Sequence, residues 1–354
     1  MSSRTKINIL LEIVNWCLNL SKIFITGGNG VLGSSLSELF LRLGDEVIVT
    51  DINRIDECWR LIEKGILDQV EYRWKASQDI SQRDLDGVDL VIDCAIGFPD
   101  RPFGNESPRG TIGANLEPAV GLLESLRKLS SPPPVIYPSS FNALYGTRGL
   151  YDENTSVNPT SIYGWTKAAV EQLYRTYHHS FGIPVIITRV GSSYGEMMRT
   201  DELIAKLIIS NLQNREFSLR SPYSKRLWTY LGDVMSLYEA IVRKSDYGHD
   251  VDFLNEIELR NSIINVAGNA GDEILTNVQI AKLIGEVMNS HSAVTLNYYY
   301  EPGEMINGVP VEFTVSSKWS RNLIGKAPEH SLREGIKRTS EWFKERNSRW
   351  IFGT

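Results

Sequence analysis

Apolar runs of four to nine residues alternate with helical patterns through the first half of the chain. Ile23-Phe-Ile25 leads into a glycine turn, Gly27-Gly-Asn-Gly30-Val-Leu-Gly33, and a helical pattern continues to about Leu43. A second run, Glu46-Val-Ile-Val-Thr50, ends in Asp51. Helical spacing over Ile55 to Gly65, a strand at Val70 to Trp74 and a buried-type run from Val88 to Ile96 follow. Gly97 to Gly110 reads as loop and Asn115 to Leu129 as helix, stopped by Pro132-Pro-Pro134 before the strand Val135-Ile-Tyr137. The next helix carries Tyr163 and runs to about Phe181. Strands alternating with helices at this rhythm predict an α/β fold, a Rossmann-type doubly wound parallel sheet. Ligands of such a sheet lie beyond the carboxyl ends of its strands.

The first strand, turn and helix have a specific chemistry. Glycines let the backbone N–H groups approach a pyrophosphate, the helix N-terminus faces that anion, and Gly33 lets the helix press on its strand. Asp51 lies near the spacing expected of the carboxylate that holds the adenine ribose. Together they argue for a dinucleotide, and Asp51 favours NAD over NADP. Asp79, just past the third strand, is placed to meet the adenine edge, and Ala95 ends a strand where the cofactor would pass.

The length of 354 residues divides into an N-terminal helical appendage over 1–20, an NAD-binding domain over 21–190 and a smaller α/β lobe over 191–354. The last is mainly substrate-binding, with the chain crossing back near 226–268. Hydrophobic content of 42% and a formal charge of −6 describe a globular protein and argue against nucleic acid as a partner. Cys17, Cys58 and Cys94 are scattered and odd in number, which fits a reducing cytoplasm and no disulfide framework. His178 and His179, at adjacent helical positions, read as solvated, and no metal is expected. The apolar stretch over 7–20 is too short to span a bilayer and contains Glu12, so it reads as a packing helix with no membrane partner.

Tyr163 and Lys167 stand four apart on one helix face, which brings the ammonium beside the phenol. A fixed positive charge favours the phenolate, and Tyr163 then serves as the base for a substrate hydroxyl.

With these marks the chain resembles the extended short-chain dehydrogenase/reductases, the NAD-dependent epimerase/dehydratase group that mostly processes nucleotide sugars. The resemblance covers roughly 22–346 and rests on the glycine turn, Asp51, Asp79-Ile80, Ser139-Ser140 before Tyr145-Gly146, Tyr163-x-x-x-Lys167 and Arg189-x-x-x-x-Tyr194-Gly195. Further marks are Arg226 to Asp233, Ile264 to Gly268, Pro302-Gly303 and Ser317-Lys318. It implies cofactor contacts from Gly27, Gly30, Val31, Leu32, Gly33, Asp51, Asp79, Ile80, Ala95, Asn115, Tyr163, Lys167 and Val190. Catalysis falls to Tyr163, Lys167 and Ser140, and substrate contacts to Phe141, Asn142, Ser192 and Arg226. A homodimer through the helices near 115–129 and 163–181 is the family's usual assembly.

The chain departs from the family pattern at the substrate end. Phe141 stands where a Ser or Thr bonds the sugar oxygen, and Asn142 and Ala143 stand where dehydratases carry an acid. Ser192 replaces an asparagine and Glu301 an arginine, both of which meet substrate phosphate. The favoured expectation is an NAD-dependent sugar epimerase acting on a nucleotide sugar or an unusual sugar. A dehydrogenase of a non-nucleotide polyol or aminoglycoside-like substrate, and a non-catalytic NAD-binding sensor or scaffold, are the alternatives.

Overall fold

The computed structural model describes residues 20–97, 106–219, 221–290, 293–296, 305–306, 309–310 and 313–346. The expected appendage up to residue 19, and Glu301 with Pro302-Gly303, lie outside the described residues.

The glycine turn joins β1 (Lys22–Thr26) to α1 (Val31–Leu43), and β2 (Glu46–Asp51), α2 (Trp59–Glu63), β3 (Glu71–Trp74) and β4 (Leu90–Asp93) follow. After α3 (Pro108–Leu126) come β5 (Val135–Ser140), β6 (Leu150–Tyr151), α4 (Ile162–Phe181), β7 (Val185–Val190) and β8 (Ser192–Tyr194). The chain continues through α5 (Leu203–Leu212), β9 (Phe217–Leu219), β10 (Lys225–Tyr230), α6 (Leu231–Lys244), α7 (Val251–Glu258) and β11 (Ile263–Val266). β12 (Ile274–Thr276), α8 (Asn277–Met288), α9 (Lys318–Ile324) and α10 (Leu332–Glu345) complete the elements used below.

Seven strands form one sheet in the order β11-β7-β5-β4-β1-β2-β3, with every pairing parallel. Strand order reverses between β1 and β4, which opens a crevice at their carboxyl ends. Successive residues of each strand face opposite sides, so the apolar runs fill two cores. Ile23, Ile25, Leu90, Ile92, Ile136 and Ile186 pack with α1, α6 and α7. Phe24, Val91, Val135, Tyr137, Val185 and Ile187 pack with α3 and α4 on the other side. This is the Rossmann-type doubly wound sheet expected from the periodicity.

β11 enters that sheet from beyond residue 190, while β8, β10 and β12 make a separate three-stranded sheet. A third core, including Tyr194, Ile204, Trp228, Ile280, Leu332 and Phe343, joins this small sheet to α5, α8 and α10.

Two local expectations are corrected. α3 begins at Pro108, seven residues before Asn115, because a proline at the first helical position has its φ preset and no N–H to leave unpaired. The helical pattern at 55–65 is broken into a 3₁₀ turn at Ile55–Glu57 and the short α2.

Candidate active site

The turn after β1 is built for close approach. A Cβ at Gly33 would lie 2.3 Å from the Gly27 carbonyl oxygen, so only glycine lets α1 start this near the strand. α1 has no side-chain cap and no acid in its first turn, which leaves its leading N–H groups directed at the crevice. Asp51, at the tip of β2, accepts from the Asn29 N–H at 2.9 Å and the Asn53 N–H at 3.1 Å. Gly27, Gly30, Val31, Leu32, Gly33 and Asp51 therefore meet at one rim, and their chemistry fits a dinucleotide: bare N–H groups for the pyrophosphate and a carboxylate for the ribose.

The flanking candidates divide. Asp79 is exposed at the end of a 3₁₀ turn. Ile80 is drawn into the core: its side chain is 3% exposed, its N–H donates to Ser77 and its carbonyl accepts from Ser125. The structure thus uses Ile80 for packing, and of this pair Asp79 alone faces solvent. The Ala95 N–H donates to Thr26 Oγ1 at the end of β4. Asn115 is buried, its amide donating to the carbonyls of Gly97 and Thr111, so it fixes the loop after β4.

Tyr163 and Ser140 are brought together. Ser161 caps α4 by accepting from the Gly164 N–H. A Cβ on Gly164 would lie 2.4 Å from the Asn142 carbonyl oxygen, so the first turn of α4 lies against the loop after β5. Tyr163 is hydrogen-bonded to Ser140, whose Oγ also accepts from the Asn142 N–H and side-chain amide. Ser140 thus places a hydroxyl beside Tyr163, where the neighbouring Phe141 has none. Burial raises the Tyr163 phenol above its ordinary value near 10, and the bond with Ser140 opposes that rise.

The Lys167 ammonium, expected on the same helix face as the phenol, has partners of its own. Its long side chain reaches inward: Nζ donates to the Pro138 carbonyl at 2.7 Å and lies 4.7 Å from the Tyr137 ring centre. The lysine is buried, and burial brings its own pKa down to about 8. Below it, Glu171 and Arg189 form a buried pair through bonds of 3.1 and 2.8 Å, with Ser139 donating to the same carboxylate.

On the substrate side, Ser140, Phe141, Asn142, Val190 and Ser192 line one narrow pocket with Tyr145, Leu227, Ala267, Phe313 and Val315. Phe141 is 2% exposed, packed mainly into a core with Tyr145, Tyr151 and Phe313. The side-chain oxygen of Asn142 is buried without a hydrogen-bond partner, an acceptor at the pocket wall. Arg226 on β10 stacks over Phe313 at 5.0 Å, outside the pocket lining, and burial lowers its pKa.

Two residues near the cofactor rim had no signal in the sequence. Arg60 on α2 donates to the carbonyls of Asn29 and Met197, tying the glycine turn to the loop after β8. Asp93, the last residue of β4, accepts from Thr26 Oγ1 at 2.6 Å and Tyr174 OH at 2.7 Å. The pattern gave no reason to single out either residue. His178 and His179 do not diverge as their adjacent positions suggest: each has a ring nitrogen 3.8 Å from the same Glu258 oxygen.

A family model for the NAD dependent epimerase/dehydratase family matches residues 23–255. Among curated proteins, the chain is 26% identical to an uncharacterised UDP-glucose epimerase of Bacillus subtilis over 326 residues, 89% of this chain and 95% of that protein. It is also 26% identical to a dTDP-D-glucose 4,6-dehydratase of Dictyostelium discoideum over 278 residues, 71% of this chain but only 63% of that protein's length. Among solved structures, a Bacillus cereus UDP-glucuronic acid 4-epimerase bound to UDP-glucuronic acid and NAD superposes with TM-score 0.77 at 20% identity, covering 92% of this chain and 99% of that one. A Bacillus anthracis dTDP-glucose 4,6-dehydratase with NAD superposes with TM-score 0.75 at 19% identity, covering 93% and 98%. These last two likenesses are of fold.

Proposed function

The chain belongs to the NAD-dependent epimerase/dehydratase family, and we propose that it epimerises a hydroxyl-bearing carbon of a sugar, with nucleotide sugars as the first class to test. The cofactor of the family is NAD. The rim formed by Gly27, Gly30, Val31, Leu32, Gly33 and Asp51 would hold it, with Asp79 at its outer edge. When bound, it supplies a two-electron acceptor at the substrate carbon, restored by the end of an epimerisation and left reduced by a dehydrogenation.

The protein's own part is proton handling and positioning. Tyr163 takes the substrate hydroxyl proton and later returns it, while Ser140 orients both oxygens. Lys167 acts from behind Tyr137 as a fixed positive charge in a dry site, where charges act more strongly than in water. Asn142 offers its unpaired oxygen to a substrate O–H or N–H donor.

The observation that favours epimerase over dehydratase is the lining of the pocket walled in part by Ser140, the partner of Tyr163: none of its described residues is a carboxylate. Elimination of water needs a positioned acid, and the pocket offers Ser140, Asn142 and Ser192 instead. Relatives named as UDP-glucose epimerases at full-length coverage favour the same reaction. A homodimer through α3 and α4 belongs to this reading, since Val120, Trp165 and Phe181 are 40%, 44% and 48% exposed on those helices.

The test is incubation of the purified protein with UDP- and dTDP-hexoses and the corresponding free sugars. NMR of the sugar and absorbance at 340 nm are followed together. A new epimer without NADH supports the reading, and a 4-keto-6-deoxy product or steady NADH formation contradicts it.

A further inference from the structure

The polar groups beneath Tyr163 form a charge pattern of which the proposed reaction uses only Lys167. Four buried ionisable side chains cluster there: Lys167, Arg189, Glu171 and Asp93, exposed by 6%, 2%, 1% and 2%. Buried charges persist where they are compensated. Arg189 spends two guanidinium nitrogens on the two oxygens of Glu171, so that pair is self-contained. Lys167 makes its hydrogen bond to a neutral carbonyl and rests on a neutral ring. From β4 it is faced by Asp93 and the thiol of Cys94, from β5 by Tyr137, and from its own helix by Glu171. Cys94 is held neutral by burial, and Glu171 is engaged. That leaves one acid to balance one ammonium.

Asp93 is held as such a counter-charge would be. Its two oxygens accept from Thr26 Oγ1 and Tyr174 OH, and Tyr174 stacks on Tyr137, the ring that carries the Lys167 ammonium, with centroids 4.9 Å apart. Tyr174 lies seven residues beyond Lys167, two turns along the same face of α4. Thr26 ends β1 and ties Asp93 to the strand that feeds the glycine turn.

We propose that Asp93 is a positioning residue that acts through Lys167, the buried counter-charge that keeps the ammonium protonated over the Tyr137 ring in the floor of the site. The inference rests on the catalytic reading of Tyr163 and Lys167 for its consequence, but the charge pairing can be measured without substrate. Burial raises the Asp93 carboxyl and lowers the Lys167 amine, and the bonds from Thr26 and Tyr174 and the field of Lys167 work against that rise in Asp93.

The experiment follows Lys167 directly, by carbon-13 NMR of protein labelled at lysine Cε and assigned with Lys167→Met. In the intact protein Lys167 is expected to titrate near pH 8. In Asp93→Asn the midpoint is expected to fall by about one pH unit, the low end of the effect of a neighbouring opposite charge. An ammonium half-populated at pH 8 then drops to about a tenth, so kcat at pH 8 falls about fivefold while kcat at pH 6.5 changes by less than about twofold and KM holds. Tyr174→Phe removes one donor to Asp93 and is expected to move the midpoint the same way by less. It serves if Asp93→Asn does not fold. A midpoint that stays or rises in either folded variant overturns the pairing. So does an equal loss of kcat at both pH values. Absence of any turnover with a shifted midpoint would refute the epimerase reading and leave the pairing intact.

Discussion

Replacing Glu171 by glutamine removes one charge and almost no volume from the buried floor of the site. The carboxylate accepts three side-chain bonds: Arg189 Nε at 3.1 Å, Arg189 Nη2 at 2.8 Å and Ser139 Oγ at 2.5 Å. Both partners are almost wholly inaccessible. The variant leaves a guanidinium in the interior with only the Thr155 carbonyl and one amide oxygen to meet it. Breaking a buried pair from one side costs about 3–5 kcal/mol. At roughly 2–4 °C per kcal/mol for a large domain, the melting temperature should fall by about 6–20 °C. Differential scanning calorimetry, supported by urea unfolding, measures this. Glu171→Leu combined with Arg189→Met removes the stranded charge and should recover most of the loss, because a packed apolar pair of similar volume is often neutral. A single-variant cost below about 1 kcal/mol would refute the view that this pair fastens α4 to the edge of β7. A double-variant cost equal to the sum of the singles would refute it equally.

Other consequences follow from the same geometry. Gly33→Ala drives a methyl group against the Gly27 carbonyl, so the purified variant should lose bound NAD and bind it at least about tenfold more weakly by calorimetry. Ser140→Ala removes the hydroxyl shared by Tyr163 and Asn142 and should cut kcat by about a hundredfold with KM nearly unchanged in steady-state assays. Lys167→Met should be inactive, and in urea unfolding the intact protein should gain stability relative to it as pH rises from about 8 towards 10.5. The sign follows from burial, which lowers the folded pKa from 10.5 to about 8. Between these values the unfolded chain holds the proton more tightly, so this lysine's penalty is full below pH 8 and fades as pH rises towards 10.5.

The parallel sheet was legible because buried strands write themselves as unbroken apolar runs, and the glycine turn because its backbone geometry admits few residues. Tyr163 was nameable from its four-residue spacing to Lys167 downstream of the glycine-turn half-fold, and Ser140 through the family resemblance. Less could be read where the outcome depended on a long side chain choosing among partners. Lys167 shares a helix face with Tyr163, yet its four methylenes carry the ammonium to the Pro138 carbonyl and the Tyr137 ring. Ile80, named through the family resemblance, buries its side chain against the α3 face, a packing role the motif does not announce. Asp93 was hidden inside an apolar run, where an acid ends a strand without any local partner; its donors come from 67 and 81 residues away. Arg60 is similar, its meaning set by Met197 at 137 residues' distance. Periodicity reports neighbours along the chain, and these contacts are made by the fold.

The central claim is that this site moves a proton through Tyr163 and returns the sugar with one centre inverted. Its most direct test is proton NMR of a UDP-hexose incubated with the purified protein, recorded beside absorbance at 340 nm, for the intact chain and Tyr163→Phe. The account predicts growth of the epimer's anomeric signal with flat absorbance, and loss of that growth in the variant. Sustained NADH production, or epimer formation undiminished in Tyr163→Phe, would contradict it.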